Sequence, residues 1–251
     1  MTEAMDAEFD TVAEWTAEVA IDLGPDHHVP AGCRGSGSPA ALDWLADRMD
    51  FGPGTTVLDC GAGVGGPAAL AAEQRSVRPL LVEPEAGACR AARRLFDHPV
   101  VQAGGAALPV ADESFDAAWC LGVLCTTPDK LGVLTELRRV VRPAGAIGLL
   151  VFVATDVLGA DVPEGNDFPT VGLLTDLAGS AGLHVETWQA TADLPSAPRD
   201  WQEREDAVEA RLGERYGRER AWQLAERQSS RIGDLLSDGR LSGELLVLRR
   251  A

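Results

Sequence analysis

A glycine-rich segment that directly follows a short apolar run is the part of this sequence best suited to holding a ligand. Residues 56–60 have the composition of a fully buried strand, and residues 61–66, which read Gly-Ala-Gly-Val-Gly-Gly, come immediately after it. In open parallel sheets, ligands bind at the carboxyl ends of the strands. Glycines at such an end let the backbone turn sharply and let a ligand approach without a Cβ in the way. Residues 57–66 therefore predict a strand that runs into a cofactor-binding loop.

The glycine spacing alone fits two classes of cofactor. Gly61, Gly63 and Gly66 match the pattern Gly-x-Gly-x-x-Gly, which is also the dinucleotide fingerprint. Glu83 ends the next predicted strand, where its carboxylate could accept hydrogen bonds from both ribose hydroxyls of an adenosine in either class. Asp59 separates the two classes, because dinucleotide folds usually keep that position apolar. An acid there suits a ligand that carries an amino group and a sulfonium.

Two adjacent histidines are the candidates for a general base. Histidine is the usual choice for that role near neutral pH. His27 and His28 lie in residues 24–38, a Gly/Pro/His-rich segment without periodicity that is typical of a covering loop. Exposed histidines without a catalytic role fit the same pattern. His98 precedes a predicted strand and His184 lies in one, so we interpret both as structural.

Alternating strand and helix patterns predict the elements that position these residues. The fold class that they indicate is α/β: a doubly wound, mostly parallel seven-stranded sheet with an antiparallel last strand and helices on both faces. The strands are predicted at residues 56–60, 79–83, 100–103, 115–121, 146–153, 183–189 and 243–249, and the main helices at 68–74, 86–96, 130–141 and 171–181.

Two helical additions flank this core. Residues 1–38 are predicted to form an N-terminal helix and a covering loop, and residues 39–251 the Rossmann-like domain. Within that domain, residues 199–237 interleave acids and arginines at helical spacings, which is typical of solvated helices joined by ion pairs. A substrate lid is the alternative interpretation of this insert.

The composition narrows the classes of partner that the chain could bind. The formal net charge is −17, with 39 acidic against 22 basic residues, and no basic run could track phosphates, which disfavours nucleic acid and anionic membranes. Five cysteines without a CxxC pair indicate reduced thiols in a cytoplasm, and the acids have no metal-site spacing. No apolar run approaches the ~20 residues of a membrane span. We expect a cytoplasmic protein with a small-molecule partner and no bound metal; a homodimer is left open.

The ordered motifs resemble those of class I S-adenosylmethionine-dependent methyltransferases, over roughly residues 35–190. The stretch Leu-Arg-Arg-Val-Val-Arg-Pro-Ala-Gly at 137–145 is the most distinctive of them. The resemblance implies S-adenosylmethionine as cofactor and methyl transfer to an oxygen, nitrogen or carbon nucleophile of a small molecule. The other motifs are residues 57–66, Glu83-Pro84, residues 106–109 and residues 114–116.

The resemblance also implies where the cofactor lies. The glycine loop would hold the methionine portion, the acid after the second strand the ribose, the turn after the third strand the adenine, and the end of the fourth strand the methyl group. Arg34 would lie near the methionine carboxylate, and Gly105 departs from the acid that the family often has before the adenine turn. The predicted cofactor-binding residues are Ser38, Asp59, Gly61, Ala62, Gly63, Gly65, Glu83, Pro84, Ala106, Ala107, Cys120 and Leu121.

Two alternatives to methyl transfer stay open at this stage. The glycine spacing permits an NAD-dependent oxidoreductase, which Asp59 opposes. A protein of this fold could also bind the cofactor without transferring methyl. Methyl transfer from a sulfonium is an in-line displacement that gains most from alignment and desolvation, so it requires no particular catalytic side chain.

Overall fold

The computed structural model describes residues 2–251, in which seven strands form one sheet. The strands are β1 (Thr56–Cys60), β2 (Arg78–Glu83), β3 (Val100–Gln102), β4 (Phe115–Leu121), β5 (Val141–Ala154), β6 (Leu183–Ala190) and β7 (Leu241–Arg250). Their order is β3-β2-β1-β4-β5-β7-β6, and only β7 runs antiparallel to its neighbours. This confirms the predicted fold class, including the antiparallel last strand.

Ten α-helices surround the sheet in the described residues 2–251. They are α1 (Glu3–Asp6), α2 (Ala13–Leu23), α3 (His28–Gly32), α4 (Pro39–Arg48), α5 (Gly66–Arg75), α6 (Ala86–Leu95), α7 (Lys130–Val140), α8 (Val171–Ser180), α9 (Arg199–Tyr216) and α10 (Arg220–Ser237). A π-helical stretch, Ala7–Val12, joins α1 to α2, so that residues 3–23 are one continuous helix. Among these helices, none combines the length and the apolarity needed to cross a membrane.

The sheet is buried on both faces. Successive side chains of a strand point to opposite faces, so each central strand contributes to two apolar layers. Leu58 of β1 packs in the layer that contains Leu137 of α7, whereas Val57 packs in the layer that contains Leu45 of α4. The carboxyl ends of β1, β2 and β4 therefore open onto one edge between the two layers.

The covering segment is more regular than the sequence predicts. Residues 24–38 contain a 3-10 helix, Pro25–His27, and the short helix α3, where we expected only loop. The end of α3 lies directly on the start of α5: a Cβ added to Gly66 would come 2.2 Å from the carbonyl carbon of Gly32. A helix of five residues is too short to show a period and depends on such tertiary contact.

The strand predicted at residues 146–153 begins earlier, directly after α7. Strand β5 begins at Val141, so the Arg-Pro-Ala-Gly part of the signature motif is strand and not helix cap. Val141 pairs with Phe115 of β4, while β7 joins the other side of β5 only from Ile147 onward. The first residues of β5 are thus an edge, where proline is tolerated because its missing N–H faces no partner strand.

A helical cap covers the carboxyl edge of the sheet; we define it as residues 3–38 together with 199–237. Its two parts pack against each other. The rings of Trp15 in α2 and Tyr216 in α9 stack with centroids 4.2 Å apart, and Arg215 forms ion pairs with two acids of α2. The N-terminal helix and the insert therefore form one layer and are not two independent decorations.

Candidate functional site

Glu83, at the end of β2, shapes the glycine loop. Its Oε2 accepts a hydrogen bond from the Gly63 amide at 2.8 Å, and its Oε1 accepts one from the Glu85 amide at 3.0 Å. Burial, which leaves Glu83 5% exposed, raises its pKa to about 7 against the opposing effect of these two hydrogen bonds. Each carboxylate oxygen can still accept a second hydrogen bond. Glu83 can therefore hold the loop and bind a ribose at once.

Asp59 is a buried acid without a full set of partners. It is 1% exposed, and its Oδ2 accepts no hydrogen bond. Burial raises its pKa to about 7; the indole of Trp119 opposes the rise and the charge of Glu83 adds to it. Interiors seldom leave a buried carboxylate oxygen unpaired, because the lost hydration is costly. The residue thus fits a ligand that donates a hydrogen bond or carries a positive charge.

Two positions of the glycine loop, residues 61 and 65, accept only glycine. Gly61 has φ +73° and Gly65 has φ +89°, values that L side chains rarely adopt. A Cβ at Gly61 would also lie 2.2 Å from Cγ2 of Val123, and one at Gly65 2.7 Å from Cδ2 of Leu81. Ala62 is 3% exposed and contributes side-chain packing to the core, so only its backbone is available to a ligand.

The turn predicted to border the adenine is open. Ala106 and Ala107 are exposed, as is Pro84 on the neighbouring strand end. The glycine that replaces the family's acid has a physical reason in this chain. A Cβ at Gly105 would lie 2.8 Å from Sγ of Cys60, so a larger side chain requires a shift of the core.

The signature motif on α7 fixes the shape of this turn. Arg139 donates hydrogen bonds to the carbonyls of Leu108 at 3.0 Å and Val110 at 2.9 Å. Glu136, paired with Arg139, accepts a hydrogen bond from the Leu108 amide at 2.8 Å. The motif that the sequence marks as most distinctive therefore acts at a distance, by positioning the turn after β3.

The two predicted contacts at the end of β4 point in opposite directions. Cys120 is fully buried in the layer below the sheet, beside Cys60, so its side chain cannot border a ligand, and the prediction holds at most for its backbone. Leu121 faces the other layer and the cap. The alternation of side chains along a strand is the physical reason for the difference.

Ser38 and Arg34 are engaged elsewhere. The Ser38 hydroxyl caps α4 by accepting a hydrogen bond from the Ala41 amide at 3.3 Å, and its contact with the cofactor stays a prediction. Arg34 does not face the glycine loop: its Nε is 3.3 Å from Glu209 of α9, and its guanidinium lies 5.8 Å from the ring centre of Trp222. Both side chains therefore stabilise the surroundings of the site.

His27 and His28 lie within the cap, half-buried. The short helices that carry them contact α2 and α9. The buried Nδ1 of His27 has no hydrogen-bond partner. A base role for either histidine stays a prediction, and neither side chain is exposed.

The first half of the N-terminal helix contacts segments that follow two different strands. The Asp10 carboxylate accepts a hydrogen bond from the Gly87 amide at the start of α6. Met5 lies against Gly165 in the loop after β5. Sequence reasoning missed Asp10, because no local pattern connects an acid in a π-helical stretch with a helix almost eighty residues later.

A groove of about 650 Å³ lies at the carboxyl end of β5, within residues 154–170. Its lining mixes apolar side chains, among them Val157 and Phe168, with polar ones such as Asp156 and Asp167. Lys130, which is 4% exposed, fixes this loop: its Nζ is 2.7 Å from Asp167 and 2.9 Å from the carbonyl oxygen of Thr127. Within residues 2–251, no three His, Cys, Asp or Glu side chains are grouped to hold a metal.

Substitution of either member of the Lys130–Asp167 ion pair is expected to lower the free energy of unfolding, by unequal amounts. Asp167→Ala leaves a buried ammonium without its counter-ion and should lower the free energy of unfolding by about 2 kcal/mol. Lys130→Met keeps the volume and leaves only an exposed carboxylate, so we expect a loss below about 1 kcal/mol. Urea unfolding of both variants measures the difference, and equal losses would contradict the burial argument.

The sequence matches known methyltransferases over part of its length. Residues 58–149 match the family model described as a methyltransferase domain. The chain is 33% identical over 125 residues to a sterol 24-C-methyltransferase of Gibberella zeae, covering 47% of this chain and 33% of that protein. It is 30% identical over 154 residues to a 2-methyl-6-phytyl-1,4-hydroquinone methyltransferase of Synechocystis, covering 53% and 47%. The chain thus spans less than half the length of these relatives.

Solved structures share the fold. Geranyl diphosphate C-methyltransferase from Streptomyces coelicolor, in complex with Mg²⁺, geranyl-S-thiolodiphosphate and S-adenosylhomocysteine, superposes with a TM-score of 0.65 at 15% identity, covering 84% of this chain and 76% of that one. The [4+2]-cyclase SpnF gives a TM-score of 0.65 at 21% identity, covering 83% and 79%. At these identities the likeness concerns the fold alone.

Proposed function

We propose, from the match of residues 58–149 to the methyltransferase-domain model and from the Rossmann-like sheet order, that the chain binds S-adenosylmethionine and transfers its methyl group to an oxygen, nitrogen or carbon nucleophile of a small molecule. The observation that carries the proposal is Asp59. A dinucleotide carries no ammonium group, whereas the methionine end of S-adenosylmethionine offers one to this buried carboxylate beside the glycine loop.

The residues at the edge of the sheet fit each part of this cofactor. Asp59 would bind the amino group, the loop around Gly63 the methionine backbone, Glu83 the ribose hydroxyls, and the turn at Ala106 the adenine. The cofactor, when bound, supplies a methyl group activated by its sulfonium. The protein's part is to bind, to align and to exclude water.

The cap is the element that would exclude water and enclose the acceptor. It reaches across the carboxyl ends of the strands, and its two parts are joined by the Trp15–Tyr216 stack and by ion pairs. Alignment within such an enclosure accounts for catalysis without a fixed base. His27 remains our candidate where the acceptor must lose a proton, because its Nδ1 is buried and unpaired within the cap.

The net charge of the chain and the names of its relatives both favour a small-molecule acceptor. The formal net charge of −17 opposes association with nucleic acid or an anionic membrane. The relatives named above methylate, by their names, a sterol and a hydroquinone. The groove of residues 154–170, next to the end of β5, combines apolar and polar side chains and is a suitable entrance for such an acceptor.

Calorimetric titration separates the two cofactor classes. We expect S-adenosylhomocysteine to bind with a dissociation constant in the micromolar range, about −8 kcal/mol, and NAD to show no heat of binding at the same concentrations. Asp59→Asn should weaken S-adenosylhomocysteine, because the amino group loses its carboxylate. Binding of NAD in the absence of S-adenosylhomocysteine binding would overturn the proposal.

A further inference from the structure

The N-terminal helix touches two segments that serve different parts of the proposed site. The Asp10 carboxylate accepts a hydrogen bond from the Gly87 amide at the start of α6, and Met5 packs on Gly165 in the loop after β5. Both contacts come from one continuous helix, residues 3–23, and lie five residues apart in it. Because a packed helix moves as one body over so short a length, a change at either contact affects the other.

The start of α6 is held by two carboxylates from different parts of the chain. The first N–H groups of a helix have no partner within the helix and need an acceptor from elsewhere. The Glu85 amide donates to Glu83 at 3.0 Å, and the Gly87 amide donates to Asp10. Glu83 is the acid that we assign to the ribose. The same helical turn therefore connects the ribose acid with the N-terminal helix.

The contact between the N-terminal helix and α6 leaves no free space. A Cβ added to Gly87 would overlap the backbone carbonyl oxygen of Asp10. Burial raises the pKa of Glu85, and the charges of Asp10 and Asp6 are the next causes of the rise, so both acids of the helix lie near the start of α6. A small displacement of the start of α6 must therefore displace the N-terminal helix.

The loop that forms the groove of residues 154–170 is held by the cap. A Cβ added to Gly165 would lie 2.5 Å from Cγ of Met5, so the helix packs directly on the loop backbone. Gln228 of α10, which is 5% exposed, donates from Nε2 to the carbonyl oxygen of Glu164 at 2.6 Å. Helix α10 in turn packs against the π-helical stretch of the N-terminal helix. The position of the N-terminal helix therefore determines how firmly this side of the groove is held.

We propose that Asp10 and Met5 couple the two halves of the site, so that a cofactor bound at Glu83 fixes the groove loop through α6 and the N-terminal helix. The inference rests on the proposed function, since it takes Glu83 as the ribose acid. Ribose hydroxyls that donate to Glu83 favour its ionised form, which accepts more strongly from the Glu85 amide and holds the start of α6. A ligand that orders one end of such a chain of contacts also orders the other. The groove then reaches its final shape only after the cofactor has bound.

Hydrogen exchange of the groove loop measures this coupling without a known acceptor. The amides of Asp161, Asn166 and Asp167 donate hydrogen bonds to backbone carbonyls, so their exchange reports how often the loop opens. We expect saturating S-adenosylhomocysteine to slow the exchange of residues 156–168 about tenfold in the wild type. A cap that is only a static cover would hold the loop equally with and without the ligand.

Three variants test the path. Asp10→Ala removes the carboxylate that accepts from Gly87, and Gly87→Ala displaces the helix from α6. In both variants, residues 156–168 should exchange at the ligand-free rate even when S-adenosylhomocysteine is saturating. Asp10→Asn keeps a side-chain oxygen as acceptor and should restore the slower exchange. Calorimetry on each variant sets the saturating concentration and reports that the variant is folded.

Gly172→Ala is the matched control, because Gly172 is an exposed glycine of α8 with no atom within 4 Å of an added Cβ. This variant should keep the slower exchange that S-adenosylhomocysteine causes. Two results would overturn the coupling: loop exchange in the wild type that does not respond to the bound ligand, or a response that persists in Asp10→Ala and Gly87→Ala. Wild-type protein that does not bind S-adenosylhomocysteine would overturn the proposed function itself, so the two failures are distinguishable.

Discussion

Glu83→Ala is expected to weaken binding of S-adenosylhomocysteine at least ~100-fold, because two hydrogen bonds from ribose hydroxyls to a charged acceptor are lost at ~1.5 kcal/mol or more each. A second effect of the same substitution also weakens binding. Gly63 and Glu85 lose the carboxylate that accepts from their amides, so the loop is no longer held in its binding shape before the ligand arrives. Calorimetric titration measures both effects together.

Glu85→Ala is the control for this substitution. Glu85 is the neighbouring acid, and the variant keeps the backbone amide that donates to Glu83. We expect its affinity for S-adenosylhomocysteine to stay within about threefold of the wild type, well below the loss at Glu83. Thermal unfolding should show both variants folded. Unchanged affinity in Glu83→Ala would remove the ribose assignment and the role of Glu83 in shaping the loop together.

The parts of the site that follow from local sequence were predictable. Residues 57–66 and Glu83 lie at the ends of consecutive strands, and the alternation of strand with helix places those ends at one edge of the sheet. The same period-2 argument could have identified Trp119, which shares a face with Asp59, and could have excluded the side chain of Cys120. These signals were present in the sequence.

The cap was harder to predict, because its contacts join distant parts of the chain. The backbone contact between Gly32 and Gly66 stabilises α3, and the stack of Trp15 on Tyr216 holds α9 against α2. No periodicity within either segment contains that information. The composition of residues 199–237 predicts helix, as observed for α9, but it does not predict which elements that helix packs against.

Binding of S-adenosylhomocysteine is expected to weaken about 10- to 100-fold as the pH falls from 8 to 6, since one or both of two carboxyls with pKa about 7 must be ionised. Burial raises the pKa of both Asp59 and Glu83, and their charges interact, so the pair titrates together. The protonated forms cannot fully accept hydrogen bonds from the ammonium and ribose hydroxyls. Calorimetry at three pH values, in buffers of different ionisation enthalpy, measures the affinity and the protons released.

The free energy of unfolding of the ligand-free protein should change with pH in the opposite direction, falling as the pH rises. A carboxyl whose pKa is higher in the folded state than in the unfolded state binds its proton more tightly when folded. Its stabilising contribution is therefore complete below the unfolded pKa of about 4 and is lost as the pH rises through about 7. Asp59→Asn removes that loss, so at pH 8 the free variant should unfold at a higher temperature than the wild type while it binds S-adenosylhomocysteine more weakly. A variant that is less stable at pH 8 would mean that Asp59 is paired in the free protein, and the argument for a ligand at its Oδ2 would fail with it.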